Sequence, residues 1–244
     1  MILELDVGNT RVKWRLRRGA NSLEQGWQER ARDFYIEALG DRELHLKSIY
    51  VSSVADAVFE GILRQSLAEQ FSIEPWFARS SFHCAGVNNS YDNPALMGVD
   101  RWLAMIAAYN HSGGAVCVVD AGSALTVDFV SEQGHHRGGY ILPGIALMQS
   151  ALLKNTDRVR FDSEGLGQLT PGRSTADAVN NGILLSQVGA LSLALEQAKQ
   201  HGDDNYCLYI CGGDGERLLA AMTGEGTLRP ELVLDGLAFA AAET

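Results

Sequence analysis

The sequence predicts an α/β protein of two related lobes, each a mixed sheet with flanking helices. The main observation is a unit that occurs twice: an apolar strand, an Asp-x-Gly turn and a second strand of alternating residues. The two turns, at residues 6–10 and 120–124, lie nearly half the chain apart and hold the only Asp-x-Gly triplets among the 244 residues. Apolar residues at helical spacing follow each unit and predict the flanking helices.

The first half of the chain is expected to alternate between strands and helices before a long polar segment. In order, we predict strands at 2–5, 12–16 and 22–28, a helix at 32–39, a strand at 48–53, a helix at 56–71 and a strand at 73–77. Residues 80–100 are polar and predict a loop. A loop of this length inside a compact domain is more often functional than accidental.

The second half repeats this order. We predict a helix at 101–109, strands at 115–119, 125–129 and 138–144, helices at 145–153 and 176–199, a strand at 207–211, and helices at 216–222 and 237–243. Ser174 or Thr175 is the expected N-cap of the long helix, with Asp177 in its first turn. The expected lobes are residues 1–100 and 101–244, sharing a cleft.

Composition narrows the class of protein. The chain is 46% hydrophobic and 20% charged, which is typical of a globular protein with real cores. Its formal net charge of −10 argues against nucleic-acid binding, which usually needs a basic surface. We see no apolar stretch near the ~20 residues that a bilayer needs and no signal peptide. We therefore expect a cytoplasmic protein with neither a nucleic-acid nor a membrane partner.

The four cysteines, Cys84, Cys117, Cys207 and Cys211, do not have zinc-site spacing. A zinc site would need closer Cys pairs or a histidine at matched spacing. Reduced thiols in or near the core are expected.

The repeated turns suggest phosphate chemistry. A glycine has no Cβ, so backbone N–H groups beside it can approach a polyphosphate closely. A neighbouring carboxylate can act through Mg²⁺ and its waters. The alternative is two ordinary hairpin turns, in which Asp, Gly and Asn are common. Two copies after equivalent strands favour the phosphate interpretation.

Six motifs in order give a more specific indication. They are Asp6-Val7-Gly8-Asn9-Thr10, Gly98-Val99-Asp100-Arg101, Asp120-Ala121-Gly122-Ser123-Ala124, Gly139-Tyr140-Ile141-Leu142-Pro143-Gly144, Ser174-Thr175 and Gly212-Gly213-Asp214-Gly215. With them, the chain resembles the type III pantothenate kinases of the actin/hexokinase/Hsp70-like ATPase superfamily over essentially its whole length. The resemblance implies two ribonuclease H-like (actin-like) lobes around an ATP cleft.

The same resemblance implies an activity and assigns residues to it. The activity is transfer of the γ-phosphoryl group of ATP to the primary hydroxyl of pantothenate, giving 4′-phosphopantothenate, the first step toward coenzyme A. Asp100 would be the proton acceptor, and Asp120 would help bind a monovalent cation, K⁺ or NH₄⁺. The residues implied for ATP with Mg²⁺ are Asp6, Val7, Gly8, Asn9, Thr10, Arg11, Val12, Lys13 and Ser123. Those implied for pantothenate are Tyr91, Gly98, Val99, Arg101 and Thr175. Ser123 departs from the threonine usual in the family but keeps the hydroxyl.

Simpler interpretations stay open at several of these positions. Asp100 opens a predicted helix, where an aspartate is a good cap without any catalytic role. Thr175 would serve equally as an N-cap, and Tyr91 as a packing residue of its loop. At the level of function, the alternatives are a non-catalytic regulatory or accessory protein on the same fold, or another kinase of the superfamily. The family also implies a homodimer.

Overall fold

A computed structural model gives the structure, which describes residues 1–31, 34–40, 42, 44–161, 165, 167–200, 205–222 and 225–243. The chain divides into two compact units. The first is Met1–Ala107 with Leu232–Thr244, and the second is Ala108–Glu231.

A five-stranded mixed sheet forms the centre of the first unit. Its strands are β1 (Ile2–Val7), β2 (Arg11–Arg18), β3 (Asn21–Glu29), β4 (Ser48–Ser53) and β5 (Trp76–Phe77), in the order β3-β2-β1-β4-β5. The pairs β1–β2 and β2–β3 are antiparallel, whereas β1–β4 and β4–β5 are parallel. Side chains alternate between the faces of a strand, so Leu3, Leu5 and Val7 share one face, and all three are fully buried in the core.

Two helices and a small hairpin complete the main part of this unit. Helix α1 (Ala57–Phe71) begins after Asp56, whose carboxylate accepts the N–H of Phe59 as an N-cap does. The hairpin β6 (His83–Cys84) and β7 (Val87–Asn88) and a 3₁₀ turn (Pro94–Leu96) lie within the predicted loop 80–100. Helix α2 (Val99–Ser112) follows, and the boundary between the two units falls inside it.

The second unit repeats the first sheet strand for strand. Its strands are β8 (Val116–Ala121), β9 (Ala124–Val130), β10 (His136–Pro143), β11 (Cys207–Cys211) and β12 (Thr227–Leu228), in the order β10-β9-β8-β11-β12. The strand directions are the same as in the first sheet. Cys117, Val119 and Ala121 take the buried positions that Leu3, Leu5 and Val7 hold in β1. The prediction of one supersecondary unit used twice is therefore confirmed.

In the described part of the second unit, the helices that follow α2 are α3 (Ile145–Asn155), α4 (Thr175–Gln200) and α5 (Gly215–Ala221). Between Asp177 and Glu196, α4 has no charged residue, and by length and composition alone it could cross a membrane. The sequence analysis did not anticipate this. A core helix passes the same test, and the buried Asn180 and Gln187 of α4 bond to Gln149 and to the Pro143 carbonyl of the same unit.

The last helix, α6 (Leu232–Ala242), belongs to the first unit, where it contacts β1 and β4. The predicted lobe boundary at 100/101 is seven residues before the observed 107/108, and it did not assign this helix to the first unit. The apolar pattern of α6 identifies a buried helix but does not identify the sheet on which it packs.

The strand predicted at 73–77 is limited to Trp76–Phe77, and the last helix begins at Leu232 rather than at 237. The predicted helix at 32–39 differs most from the structure. A helix was expected at 32–39, of which residues 32 and 33 lie outside the described part, but 34–36 have no regular structure and 37–40 form a turn. Phe34, Ile36 and Leu39 are nevertheless buried. The side-chain amide of Gln70 accepts the N–H of Ile36 and donates to its carbonyl, both at 3.3 Å. A distant side chain therefore pairs the Ile36 N–H, which a longer helix would have paired internally, whereas the Ile36 carbonyl also accepts the N–H groups of Leu39 and Gly40 at 3.1 Å in one local turn.

Cysteine accessibility tests this packing. All four cysteines are free, as expected, and Cys207 alone among them is exposed. Burial, with a smaller contribution from Glu243, raises the pKa of Cys84 to about 12, and burial also raises the pKa of Cys117. The thiolate is the reactive form, so iodoacetamide at pH 8 should modify Cys207 first, as peptide mass spectrometry will show. Modification of Cys117 at the same rate as Cys207 would contradict the described core.

Candidate active site

The first Asp-x-Gly turn joins β1 to β2. Asp6 is the next-to-last residue of β1 and pairs with Lys13 of β2. The N–H of Gly8 donates to the Arg11 carbonyl at 2.9 Å and closes the turn. Val7 and Val12 are buried beneath it, whereas Asn9, Thr10 and Arg11 are exposed. The eight residues predicted for ATP in this segment therefore form one rigidly anchored turn with an exposed tip.

Ser52 lies beside Asp6 on the neighbouring strand and was not singled out from the sequence. The parallel register pairs Asp6 with Ser52, so both side chains point to the same face of the sheet. Ser52 is 1% exposed, and its Oγ has no hydrogen-bond partner among the described residues. Buried polar groups are normally paired. The Ser52 hydroxyl is therefore a candidate donor on the face of the sheet that carries Asp6.

The stability of Ser52 variants tests whether this hydroxyl is unpaired. Because Ser52→Ala removes no internal hydrogen bond, we expect the free energy of unfolding in urea to stay unchanged or to rise by up to about 1 kcal/mol. Ser53→Ala is the matched control, since the Ser53 Oγ accepts the N–H of Ala55 at 3.2 Å. That variant should lose about 1 kcal/mol. A larger loss for Ser52→Ala than for Ser53→Ala would mean that the Ser52 hydroxyl is bonded.

The second turn joins β8 to β9 in the same way. Asp120 is again the next-to-last residue of its strand, and the N–H of Gly122 donates to the Ala124 carbonyl at 2.9 Å. Ser123 is exposed at the tip. The two predicted turns are thus equivalent in strand position, and in each the glycine N–H closes the turn, although the second turn is one residue shorter than the first.

Two further glycine motifs lie against this second turn. The N–H of Gly144 donates to the Ser123 carbonyl at 3.1 Å, and a Cβ on Gly144 would come within 2.6 Å of that oxygen. Gly212 has a φ of +86°, and a Cβ there would overlap the Asp120 carboxylate and the Ala121 carbonyl. The structure therefore brings three of the six motifs together, and backbone approaches that only glycine permits hold Asp120 in place.

A pocket opens beside the Gly212–Gly215 turn. Its volume is about 770 Å³, within the usual range of small-molecule sites. The lining comes from the turn itself, from α5 and from the segment before α4, and includes Gly213, Asp214, Arg217 and Leu169. The Arg217 Nε is buried without a hydrogen-bond partner among the described residues. The segment around Leu169 was not singled out from the sequence, because it carries no motif.

The predicted substrate residues of the first unit cluster at the start of α2. The Arg101 Nη1 donates to the Tyr91 hydroxyl at 3.1 Å, and Arg101 is 7% exposed. The Asp100 Oδ1 accepts the Arg101 N–H at 2.8 Å. A Cβ on Gly98 would come within 2.6 Å of that same Oδ1, so glycine is needed to leave the carboxylate where it is. Val99 is buried and anchors this first turn.

Asn89 supports this cluster and was missed as a functional candidate. Its Oδ1 accepts the Tyr91 N–H at 3.0 Å, and its Nδ2 donates to the Ser81 carbonyl at 3.3 Å. The Ser80 hydroxyl also donates to the Met97 carbonyl, which ties the two ends of the loop together. Asparagine commonly bonds the backbone two residues on, so the Asn89-Ser90-Tyr91 run was the available signal.

Thr175 is the first residue of α4 and is exposed. The cap belongs to Ser174, whose hydroxyl accepts the Asp177 N–H at 3.1 Å. Of the two N-cap candidates, the structure therefore selects Ser174. Capping does not account for the Thr175 hydroxyl.

The carboxylates of the two turns suit Mg²⁺ better than a metal ion held by protein side chains alone. Within the described ranges, no three His, Cys, Asp or Glu side chains come together as a metal site. Mg²⁺ is usually held by one or two carboxylates together with water and substrate phosphates. Asp6 and Asp120, each at the end of a strand beside a glycine turn, are carboxylates of that kind.

Comparison with known proteins adds to this geometry. Residues 2–197 match the family model described as type III pantothenate kinase. A protein of Alcanivorax borkumensis named type III pantothenate kinase is 38% identical over 245 residues, covering 99% of both chains.

Among solved structures, the chain is similar to a conserved putative Baf family transcriptional activator of Campylobacter jejuni. The TM-score is 0.60 at 22% identity, over 99% of this chain and 98% of that one. It is also similar to a putative N-acetylmannosamine kinase of Listeria monocytogenes, with a TM-score of 0.54 at 13% identity, over 100% of this chain and 99% of that one. At these identities the structural likeness shows the fold alone. That fold is the predicted one, shared with kinases of the actin/hexokinase type.

Proposed function

The chain belongs to the type III pantothenate kinase family, and from this premise we propose how it transfers a phosphoryl group from ATP to pantothenate in coenzyme A biosynthesis. The observation that carries the proposal is the cluster of Tyr91, Asp100 and Arg101. It joins a carboxylate, a nearly buried guanidinium and a phenol at the start of one helix. Two equivalent Asp-x-Gly turns supply the phosphate-binding elements that such a reaction needs.

In this proposal, the ATP phosphates bind to residues 6–13 and to Ser123. The glycine of each turn allows close approach of phosphate oxygens, and the exposed tips offer amide, hydroxyl and guanidinium donors. Mg²⁺, held by Asp6 and the phosphates, would neutralise charge on the transferred group. Asp120 would help bind K⁺ or NH₄⁺. The pocket beside Gly213 has the size of a site for the adenosine end of the nucleotide.

Pantothenate would bind to Tyr91, Gly98, Val99, Arg101 and Thr175. Arginine presents a planar fork of donors that matches a carboxylate, and pantothenate carries one. Burial of Arg101 lowers the local dielectric constant, which strengthens an ion pair with an anionic substrate. The bond to the Tyr91 hydroxyl fixes the guanidinium plane before substrate arrives.

Asp100 would accept the proton of the pantothenate hydroxyl. Phosphoryl transfer depends mostly on positioning and charge stabilisation, and an aspartate that orients the nucleophile is a recurring part of it. The Arg101 N–H bond to the Asp100 Oδ1 supports this role, since it holds the carboxylate in one orientation.

We also propose a cytoplasmic homodimer. Support for the dimer comes from large apolar side chains exposed on β10, α3 and α4 of the second unit. They are Tyr140, Ile141, Leu147, Leu185 and Leu193, each at least half exposed. Exposed apolar side chains of this size are candidates for burial against a second copy of the chain. Light scattering after size exclusion should give twice the chain mass of 26.4 kDa.

A coupled assay of ADP formation tests the function. We expect ATP consumption to require pantothenate and Mg²⁺, and to fall when K⁺ is replaced by Na⁺. Absence of pantothenate-dependent consumption in folded protein would overturn the kinase proposal and favour the non-catalytic alternative on the same fold. Equal rates in K⁺ and Na⁺ would overturn the monovalent-cation proposal alone.

A further inference from the structure

We propose that the C-terminal helix α6 and the residue directly after it, Glu243, position both halves of the substrate site in the first unit, with α6 acting through Asp235. Neither residue would touch substrate, and each would act through the residues it holds. The inference rests on the proposed kinase function. Three contacts of α6 carry it, and all three lie within the first unit.

The first contact joins α6 to the strands of the phosphate turn. The Asp235 Oδ1 lies 2.6 Å from the Arg15 Nη1, and the Arg15 Nε lies 2.7 Å from Glu4, which is fully buried. Glu4 also pairs with Arg17 at 2.7 Å. Glu4 comes two residues before Asp6 on β1, and Arg15 comes two residues after Lys13 on β2. Alternation places them on the same face of the sheet as Asp6 and Lys13.

This ion cluster is sensitive to the loss of one partner. Removing one member of a buried charge network leaves the others unpaired in a medium of low dielectric constant, and the remaining charges then rearrange or take up water. Loss of Asp235 would therefore act on Arg15 and, through the β1–β2 pairing, on the register of Asp6 with Lys13. This end of α6 supports the ATP side of the site.

The second contact joins α6 to the helix that carries Asp100. A Cβ on Gly236 would overlap the Leu103 carbonyl and come within 2.6 Å of the Leu103 carbonyl carbon. The backbones of α6 and α2 therefore touch one turn after Asp100 and Arg101. Because Gly236 follows Asp235 directly, the same turn of α6 is tied to the β1–β2 pair and to α2.

The third contact joins the end of α6 to the loop that carries Tyr91. The Glu243 Oε1 accepts the Ala85 N–H at 2.7 Å. Ala85 has a φ of +46° and Gly86 a φ of +84°, as the tight turn of the β6–β7 hairpin requires. Left-handed backbone is costly for alanine, so the Glu243 carboxylate stabilises a strained turn.

This hairpin leads directly to Tyr91. It ends at Asn88, and the next residue, Asn89, accepts the Tyr91 N–H. Tyr91 in turn accepts from Arg101. From the C-terminal end, Glu243 therefore bonds to Ala85, the chain of the hairpin leads from Ala85 to Asn89, and Asn89 bonds to Tyr91 of the proposed pantothenate residues. This end of α6 supports the pantothenate side of the site.

Variants of Asp235 in α6 and of Glu243 directly after it should therefore have opposite effects on the two KM values. Glu243→Ala should raise KM for pantothenate about tenfold, the scale of one hydrogen bond to a charged group, with KM for ATP little changed. Asp235→Ala should raise KM for ATP by a similar factor, with a smaller effect on pantothenate. Glu243→Gln should restore most of the pantothenate affinity, because its amide oxygen still accepts the Ala85 N–H.

The control is Glu37→Ala. Glu37 is exposed in the same unit, and its carboxylate has no bond to the described residues, so its kinetics should match wild type. If α6 had only a structural role, its variants would contain a smaller fraction of active enzyme, so kcat would fall while both KM values stayed unchanged. That result would overturn the proposal. So would wild-type constants for Glu243→Ala, or equal KM changes for the Gln and Ala variants. If Asp235→Ala fails to fold, the Glu243 pair decides.

Hydrogen exchange gives a readout that does not need kinase activity. Glu243→Ala should speed amide exchange at residues 83–91, and Glu243→Gln should not, whether or not the wild type phosphorylates pantothenate. Unchanged exchange at Ala85 in Glu243→Ala would overturn the positioning proposal even in an active enzyme. An inactive wild type with faster exchange in that variant would overturn the kinase function instead.

Discussion

Asp100→Asn is expected to lower kcat about 10²–10⁴-fold, the usual contribution of a general base, while KM for ATP and pantothenate stays nearly constant. The amide is isosteric with the carboxylate and keeps an oxygen that can accept the Arg101 N–H bond. The variant therefore removes proton acceptance and charge and leaves the geometry of the helix start. A loss confined to kcat identifies an interaction made in the transition state.

Asp92→Asn is the matched control for this variant. Asp92 lies in the loop that precedes α2, is exposed, and is not one of the proposed site residues. Its kinetics should equal those of the wild type. If Asp100 served only as a first-turn helix residue, Asn would cost a few tenths of a kcal/mol of stability and no more than a small part of kcat. Equal kcat values for the two variants would therefore show that Asp100 takes no part in the chemical step.

Gly212→Ala is expected to disrupt the second turn, with a loss of about 3 kcal/mol in stability and a drop in Tm of roughly 6–12 °C. Two effects combine here. The φ of +86° is unfavourable for alanine, and the new Cβ would overlap the Asp120 carboxylate and the Ala121 carbonyl. Because Asp120 is displaced in the same step, the remaining activity should also lose its response to K⁺.

The adjacent Gly213→Ala provides the comparison in calorimetry. A Cβ on Gly213 would meet nothing within 4 Å, so its Tm should stay close to that of wild type. Both variants add one methyl group to the same motif, so composition and propensity are matched. Similar Tm losses for both variants would show that the turn tolerates no side chain at either position. The close approach of the Gly212 backbone to Asp120 and Ala121 would then not explain the loss.

Local chemistry made several features predictable from the sequence. Asp6 and Asp120 were found because a strand, a carboxylate and a glycine turn are consecutive in the chain. The strands around them and the helices α1 and α4 were predicted because their apolar spacing is also local. The predicted helix at 32–39 was wrong where the structure describes it: residues 37–40 form only a turn, and the Ile36 N–H pairs with the Gln70 side chain, far along the chain.

The site residues likewise divide into those that a local motif identifies and those whose position depends on tertiary contacts. Asp100 and Arg101 were identified through motifs, and their roles in phosphoryl transfer stay predictions. Tyr91 bonds to Arg101. Its position depends on the β6–β7 hairpin, on the Asn89 side chain and on the Glu243 carboxylate, and no local sequence pattern connects these three features. Similarly, nothing in Gly212-Gly213 tells which glycine has the positive φ.

The sequence by itself determined the repeated strand–turn–strand unit, the class of fold and the family, because these depend on neighbouring residues and on motifs in order. The tertiary structure alone decided that α6 belongs to the first unit and that Asp235 reaches Arg15 across 220 positions of chain. The physical reason is that a residue's type and spacing set its local conformation, whereas the partner of a buried charge is set by which elements pack together.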